Sequence, residues 1–348
     1  MVVSSNVNCL EGRLMVVNPI EDTPAFRAGI KPNDHIVKID DTDTKGMTTT
    51  AAVKLMRGPK ETKVTLTIKR EGTSTPLAFP LIRDIIKTRS VKFRLLEPGF
   101  GYVRILQFQE RTGEDFKKAL QALREENGGA LRGLVLDLRY NPGGLVDQAL
   151  LVANRFVGEG LRDGLICYTK GRGTAPRQDL NASIGAKEPR YPLVVLINGG
   201  SASASEIVAG ALQDHKRALI MGTQSFGKGS IQSILPLPEG AALKLTTARY
   251  YTPSGRSIQA RGITPDIQTE ALDPTDPAKK EAPEIHEKDL ANHITPDTKD
   301  GGSRKEKDGA APTLRPDGDV GRDYQLARAL ELLHGLDFMR QAGAKKGP

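Results

Sequence analysis

Tyr191-Pro192-Leu193-Val194-Val195-Leu196-Ile197-Asn198-Gly199-Gly200-Ser201-Ala202-Ser203-Ala204-Ser205-Glu206-Ile207-Val208 decides how the rest of this 348-residue chain is read. Its first half is a short apolar, β-branched run, the signature of a buried strand. After two glycines, Ile207, Val208, Ala211 and Leu212 recur at helical spacing. Strand, glycine turn and helix together bring a serine hydroxyl to a helix N-terminus, where unpaired backbone N–H groups can bind an oxyanion. That is the geometry of acyl transfer. The same letters also fit a capping box, Ser203-x-x-Glu206, in which serine only satisfies first-turn donors. Ser201 and Ser205 carry no separate signal, so this segment alone leaves catalysis and capping both open.

The base for such a serine is not a histidine. Of the five histidines, His286, His293 and His334 lie in a polar tail, and His35 lies in a separate N-terminal module. His215 falls at the far end of the helix that follows Ser203, too distant to reach back. A Ser-His-Asp triad therefore lacks its base. Phe226-Gly227-Lys228-Gly229-Ser230-Ile231-Gln232 supplies a lysine instead, flanked by glycines and leading into an apolar run. Read as extended chain, it puts Lys228, Ser230 and Gln232 on one face. A lysine amine held away from water can shed its charge and accept a serine proton. Gln232 can steady such an amine through its side-chain oxygen. A solvated strand lysine is the alternative.

A second loop, Asn141-Pro142-Gly143-Gly144, follows the apolar strand Leu134-Val135-Leu136-Asp137-Leu138 and by composition is a tight turn. Asp137 and Arg139 sit among core strand residues and read as braces of this loop rather than as chemical groups. Together with Asn18-Pro19-Ile20, Thr23-Pro24-Ala25-Phe26-Arg27-Ala28-Gly29-Ile30-Lys31-Pro32, Tyr251-Thr252-Pro253-Ser254-Gly255-Arg256-Ser257-Ile258 and Gly262-Ile263-Thr264-Pro265-Asp266-Ile267, these motifs resemble one family. It is that of the carboxyl-terminal processing (tail-specific) proteases, PDZ-containing serine peptidases with a Ser-Lys dyad. The resemblance extends over roughly residues 10 to 270. It implies that Ser203 is the nucleophile, Lys228 its base and Gln232 the residue that orients the base. It also implies that the N–H groups of Gly144 and Ala204 form the oxyanion hole. Glycine suits that place because a missing side chain lets the backbone approach the substrate closely. The implied fold class is mixed α/β: a PDZ-like β-rich domain followed by a crotonase-like ββα spiral peptidase core. The implied activity is a serine endopeptidase cleaving proteins near their C-termini, periplasmic or otherwise exported. No cofactor or metal is implied. Partners are protein substrates recognised through their C-terminal segments, with room for a homo-oligomer or an adaptor.

Composition sets the limits. A net charge of +8 is spread among 42 acidic residues with no basic stripe interleaved with aromatics, which excludes a nucleic-acid reading. No run reaches the ~18 to 20 apolar residues of a membrane span. Cys9 and Cys167 are too few and too distant for a disulfide framework.

Along the chain, residues 1–82 read as a PDZ domain with strands at 14–17, 34–39 and 64–68 and a helix at 50–56. It is N-terminally incomplete, since Met1-Val2-Val3-Ser4-Ser5 stands where the family has a Gly-Leu-Gly-type carboxylate loop. Neither a basic n-region nor an apolar h-region of a signal peptide is visible. Residues 83–272 read as the catalytic domain, with strands at 101–105, 134–138 and 194–197, a helix at 114–126, and 159–190 as a Gly-, Arg- and Lys-rich loop by the cleft. Residues 273–348 read as a polar, disordered tail with one short amphipathic helix at 324–334, stopped by Gly335. Two other functions fit parts of this pattern. One is an inactive PDZ-type peptide-binding protein, and the other a crotonase-like acyl-CoA enzyme, in which the Ser-Lys pair has no role.

Overall fold

In the computed structural model, the described residues are 7–10, 13–16, 23–31, 34–70, 72–84, 89–158, 164–171, 176–185, 187–236, 242–272, 286–289, 294 and 319–344. The chain divides into two compact units, one spanning Met1–Arg89 and a larger one built on Ser90–Lys307 and Leu314–Pro348. The expectations for residues 1–5 and for most of 273–318 lie outside the described residues.

The first unit contains β1 (Val7–Leu10), β2 (Arg13–Val16), α1 (Pro24–Arg27), β3 (His35–Ile39), β4 (Thr42–Asp43), α2 (Thr49–Met56), β5 (Lys63–Lys69) and β6 (Leu77–Ile82). The strands form an antiparallel sheet in the order β1-β2-β3-β5-β6, with β4 on β3. Val64, Leu66 and Ile68 alternate with Thr65 and Thr67, so one face of β5 is apolar. That face buries with Leu14, Ile36 and Ile39 under Ala52 and Met56 of α2. Thr23 caps α1 by accepting the Phe26 N–H at 3.3 Å, with Pro24 in the first turn where its missing N–H costs nothing.

The second unit contains β7 (Val91–Glu97), β8 (Phe100–Ile105), α3 (Thr112–Glu126), β9 (Gly133–Asp137), α4 (Val146–Asn154), β10 (Leu165–Gly171), β11 (Gln178–Asn181), β12 (Leu193–Ile197) and α5 (Ala204–Asp214). It continues with β13 (Leu219–Gly222), β14 (Ser230–Pro236), β15 (Ala242–Tyr251), β16 (Ile267–Gln268), a 3₁₀ turn at Glu287–Asp289 and α6 (Tyr324–Ala344). Its main sheet runs β16-β13-β12-β9-β8-β7, parallel except for β7. Strands buried on both faces read as continuous apolar runs, and Leu193–Ile197 is buried at every position. Leu134, Leu136, Val195 and Ile197 face α3, α4 and α5, whereas Val135, Val194 and Leu196 face α6. A smaller antiparallel sheet, β11-β10-β15-β14, completes the unit.

Three expectations are corrected here. The stretch 159–190 is not simply a loop, because it contains β10, with Leu165, Ile166 and Cys167 buried, and β11, paired antiparallel. The last helix does not stop at Gly335 but continues to Ala344. One glycine costs a helix only about 1 kcal/mol, and packing outweighs it. Leu326, Ala329, Leu330 and Leu333 bury on the sheet, and beyond the glycine the buried Asp337 accepts from Arg132 at 2.9 Å and Arg340 at 2.9 Å. Nor is all of 273–318 without structure, since Glu287 N–H donates to Phe226 O at 2.9 Å.

β9 and β12 are adjacent and parallel, with Leu193 beside Leu134 and Leu196 beside Asp137. The loops leaving their C-terminal ends, Tyr140–Gly144 and Gly199–Ser203, therefore emerge side by side. Ligands of open α/β sheets bind at this edge.

Candidate active site

The two loops are tied together by side chains that have no other task. Asn198 Oδ1 accepts the N–H groups of Tyr140 at 2.9 Å and Gly200 at 3.1 Å. Ser201 Oγ donates to Leu138 O at 2.8 Å and accepts the Asn198 N–H at 2.9 Å. Ser205 Oγ donates to Asn141 O at 2.9 Å, and Ala202 N–H donates to the same carbonyl at 3.0 Å. Both serines are fully buried and their hydroxyls are consumed by the scaffold. Ser203, between them, is the half-buried one. It occupies the N-cap of α5 at φ 57, ψ −112, a sparsely populated conformation that persists only where the surroundings enforce it.

Gly143 lies directly against this turn. A Cβ placed there would sit 2.7 Å from Ala202 O, 2.9 Å from Ser203 Cβ and 3.0 Å from Ala204 N, so only glycine allows the approach. The Gly143 N–H is already used, donating to Asn141 Oδ1 at 2.9 Å. At Gly144, φ is +142 and a Cβ would fall 2.1 Å from Phe108 O. Among the described residues, the N–H groups of Gly144 and of Ala204, the first residue of α5, have no hydrogen-bond partner. The Ala204 N–H adjoins Ser203 in the chain, and Gly144 follows the Gly143 that packs against the same turn.

Asp137 and Arg139 hold the base of the Tyr140–Gly144 loop. Arg139 donates to Asp137 Oδ2 at 2.7 Å, to Asp323 Oδ2 at 2.6 Å and to Gln325 Oε1 at 2.9 Å, all of these residues being buried. Tyr102 O–H donates to Asp137 at 2.8 Å. Burial pushes the Asp137 carboxyl upward, but the Arg139 charge and hydrogen bonds prevail and hold it below the ordinary carboxylate value. Asp323 immediately precedes α6 and Gln325 lies in its first turn, and nothing in the sequence ties Asp323 to a loop 184 residues away.

Lys228 is half-buried in the loop between β13 and β14. Two links fix that loop to the serine turn. Phe226 N–H donates to Ser201 O at 3.0 Å. Glu206, fully buried in the first turn of α5, accepts four donors. Its Oε2 takes the Ser203 N–H at 2.7 Å and the Lys228 N–H at 2.9 Å. Its Oε1 takes the Gly227 N–H at 2.7 Å and the Ser225 O–H at 2.6 Å. Burial lifts the Glu206 carboxyl to about 7, while the donors from Ser225, Ser203, Gly227 and Lys228 pull it back down. In sequence this glutamate reads only as half of a capping box. Its contacts to 225–228 are long-range, and no spacing rule reveals them.

The remaining candidates fall as follows. Among the described residues no hydrogen bond joins Ser203 Oγ to Lys228 Nζ; the pair is joined through backbone and Glu206. In free enzymes such contacts are commonly long and tighten on substrate. Gln232 is exposed in β14, beyond a bulge between Ile231 and Gln232. The extra residue there is Thr247 of β15, so Ser230 and Gln232 keep their alternation along β14, whereas Lys228 lies before the strand in the loop. His215 is buried at the end of α5, its Nε2 2.6 Å from Leu165 O, and takes no part in this cluster.

A model of peptidase family S41 matches residues 99–269, and a PDZ-domain model matches residues 15–70. The carboxy-terminal-processing protease of Bartonella bacilliformis is 47% identical over 323 residues, covering 92% of this chain and 72% of its own length. This chain belongs to peptidase family S41. It is an S41 peptidase of the carboxy-terminal-processing kind with a PDZ domain. The carboxyl-terminal-processing protease of Synechocystis is 41% identical over 266 residues, and this chain spans 60% of that relative's length. Among solved structures, the photosystem II D1 C-terminal processing protease superposes with a TM-score of 0.57 at 32% identity, over 76% of this chain and 71% of that one. The mixed α/β architecture of this peptidase is therefore that of the S41 fold. Among the described residues, no helix is long and apolar enough to cross a membrane.

Proposed function

We propose that this S41 peptidase is a serine endopeptidase that cleaves proteins near their C-termini through a Ser203–Lys228 dyad and an acyl-enzyme. Ser203 Oγ attacks the scissile carbonyl while the neutral Lys228 amine takes its proton. The developing oxyanion is received by the N–H groups of Gly144 and Ala204. Lys228 then passes the proton to the leaving amine, and water hydrolyses the ester. Gln232 is assigned to orient the lysine, an assignment that rests on the family motif. The PDZ unit presents substrate by adding a peptide strand to its sheet, with specificity from the peptide's C-terminal segment. Export to the periplasm or beyond belongs to the same proposal.

The observation that carries the reading is the Ser203 turn. It holds a serine at a strained helix N-cap, next to the partner-free Ala204 N–H and packed against Gly143, while its neighbours Ser201 and Ser205 are consumed by the scaffold. Neither a pure peptide-binding module nor an acyl-CoA enzyme gives that serine a task.

Peptide hydrolysis by Ser203→Ala, Lys228→Ala and Lys228→Arg chains tests it. All three are expected to fall to background, the last because a guanidinium keeps its proton, and the Ser203→Ala/Lys228→Ala pair is expected to be no worse than either alone. An active Lys228→Arg chain contradicts the assignment of the base.

A further inference from the structure

We infer that Glu206 is a positioning residue for the Ser203–Lys228 pair, its Oε2 gripping the backbone N–H of the nucleophile and the backbone N–H of the base at the same time. This inference rests on the dyad reading above and extends it to a third residue that touches neither substrate nor the reacting atoms.

A cap alone does not require this arrangement. A capping-box glutamate reaches back to one N–H, that of the N-cap residue. Here the Ser203 N–H at 2.7 Å is joined on the same oxygen by the Lys228 N–H at 2.9 Å. The other oxygen holds the Gly227 N–H at 2.7 Å and the Ser225 hydroxyl at 2.6 Å. The direction of the last bond is fixed, because Ser225 Oγ already accepts the Ile263 N–H at 2.6 Å and so turns its own proton to the carboxylate. All four partners are donors, and the ionised carboxylate has an acceptor position for each of them. A buried carboxylate without a cation is costly unless its hydrogen bonds are complete. Three of the four donors come from residues 225–228, so the carboxylate is spent on holding the lysine loop against the serine turn.

The amide of Glu206→Gln is nearly isosteric and keeps one acceptor oxygen, so it can serve one pair of donors only. Its NH₂ must face the other pair. The Phe226 N–H to Ser201 O bond remains to dock the loop, but the register of Lys228 against Ser203 slackens. Displacement of a catalytic group by about 1 Å costs about a hundredfold in rate.

The test uses the full chain with a chromogenic peptide and a fluorophosphonate probe. For Glu206→Gln, kcat is expected to fall by about a hundredfold with KM unchanged, and the rate of covalent labelling at Ser203 to fall by the same factor. Glu206→Asp keeps the charge but is one methylene too short to bridge both turns, and it gives the same split even if the Gln chain does not fold. Wild-type kcat in either folded variant overturns the inference. So does a drop confined to melting temperature, which is what a mere helix cap produces. Failure of the dyad reading looks different: Ser203→Ala or Lys228→Ala then retains activity, whatever Glu206 variants do.

Discussion

Glu206 is a carboxylate buried among neutral donors, and its titration follows from that. Its folded value of about 7 lies above the ordinary glutamate value of 4.5. Between those two values the folded chain keeps a proton that the unfolded chain has released, so this group's contribution to stability falls as pH rises across that window and is constant above it. The expected outcome is a melting temperature that declines more steeply from pH 4.5 to 7 in the wild type than in Glu206→Gln, measured by thermal denaturation over that range. Parallel curves for the two proteins contradict the assignment. At this scale the sequence is legible where chemistry is local. Ser203 is found from a strand, two glycines and a helix, because those features are adjacent in the chain. Which of Ser201, Ser203 and Ser205 is left accessible is not legible, since Leu138 and Asn141, at the end of the neighbouring strand, bind the other two. The extra residue opposite Gln232, Thr247 of β15, is equally silent in the letters, as a period of two gives no sign of it.

Helix α6 shows how one element serves a site it does not enter. Its first residues, with Asp323 before them, hold Arg139 at the foot of the Tyr140–Gly144 loop, while Leu326, Leu330 and Leu333 pack on Tyr102, Val135 and Leu196. Leu333 is fully buried, so Leu333→Ala is expected to cost about 2–5 kcal/mol. Asp323→Ala, which strips a buried partner from Arg139, is expected to cost about 3–5 kcal/mol. Urea unfolding of the two variants checks both figures, and a loss below about 1 kcal/mol in each would show that the helix is an appendage. The spacing of leucines at 326, 330 and 333 is visible in the sequence, but the length of the helix is not, because it is set by tertiary partners such as Arg132 on Asp337. Strands β10 and β11 were hidden for the opposite reason. The apolar run that opens β10 is only four residues long and gives way to Thr169-Lys170-Gly171, and β11 is polar and largely exposed, so neither matches the unbroken runs of β9 and β12.

At the scale of the whole molecule, the parallel sheet is what makes the site. Neighbouring strands β9 and β12 point the same way, so two loops that are distant in sequence open at one edge. Helices α3, α4 and α5 cover one face of that sheet and α6 the other. The central claim is that this edge arms Ser203 and that Lys228 arms it. Fluorophosphonate labelling of the wild-type chain, followed by peptide mapping, measures this most directly. The account predicts a single modified residue, Ser203, labelled at a rate that collapses in Lys228→Ala, with Ser201 and Ser205 untouched. Labelling at another serine, or at Ser203 with an undiminished rate in Lys228→Ala, contradicts it.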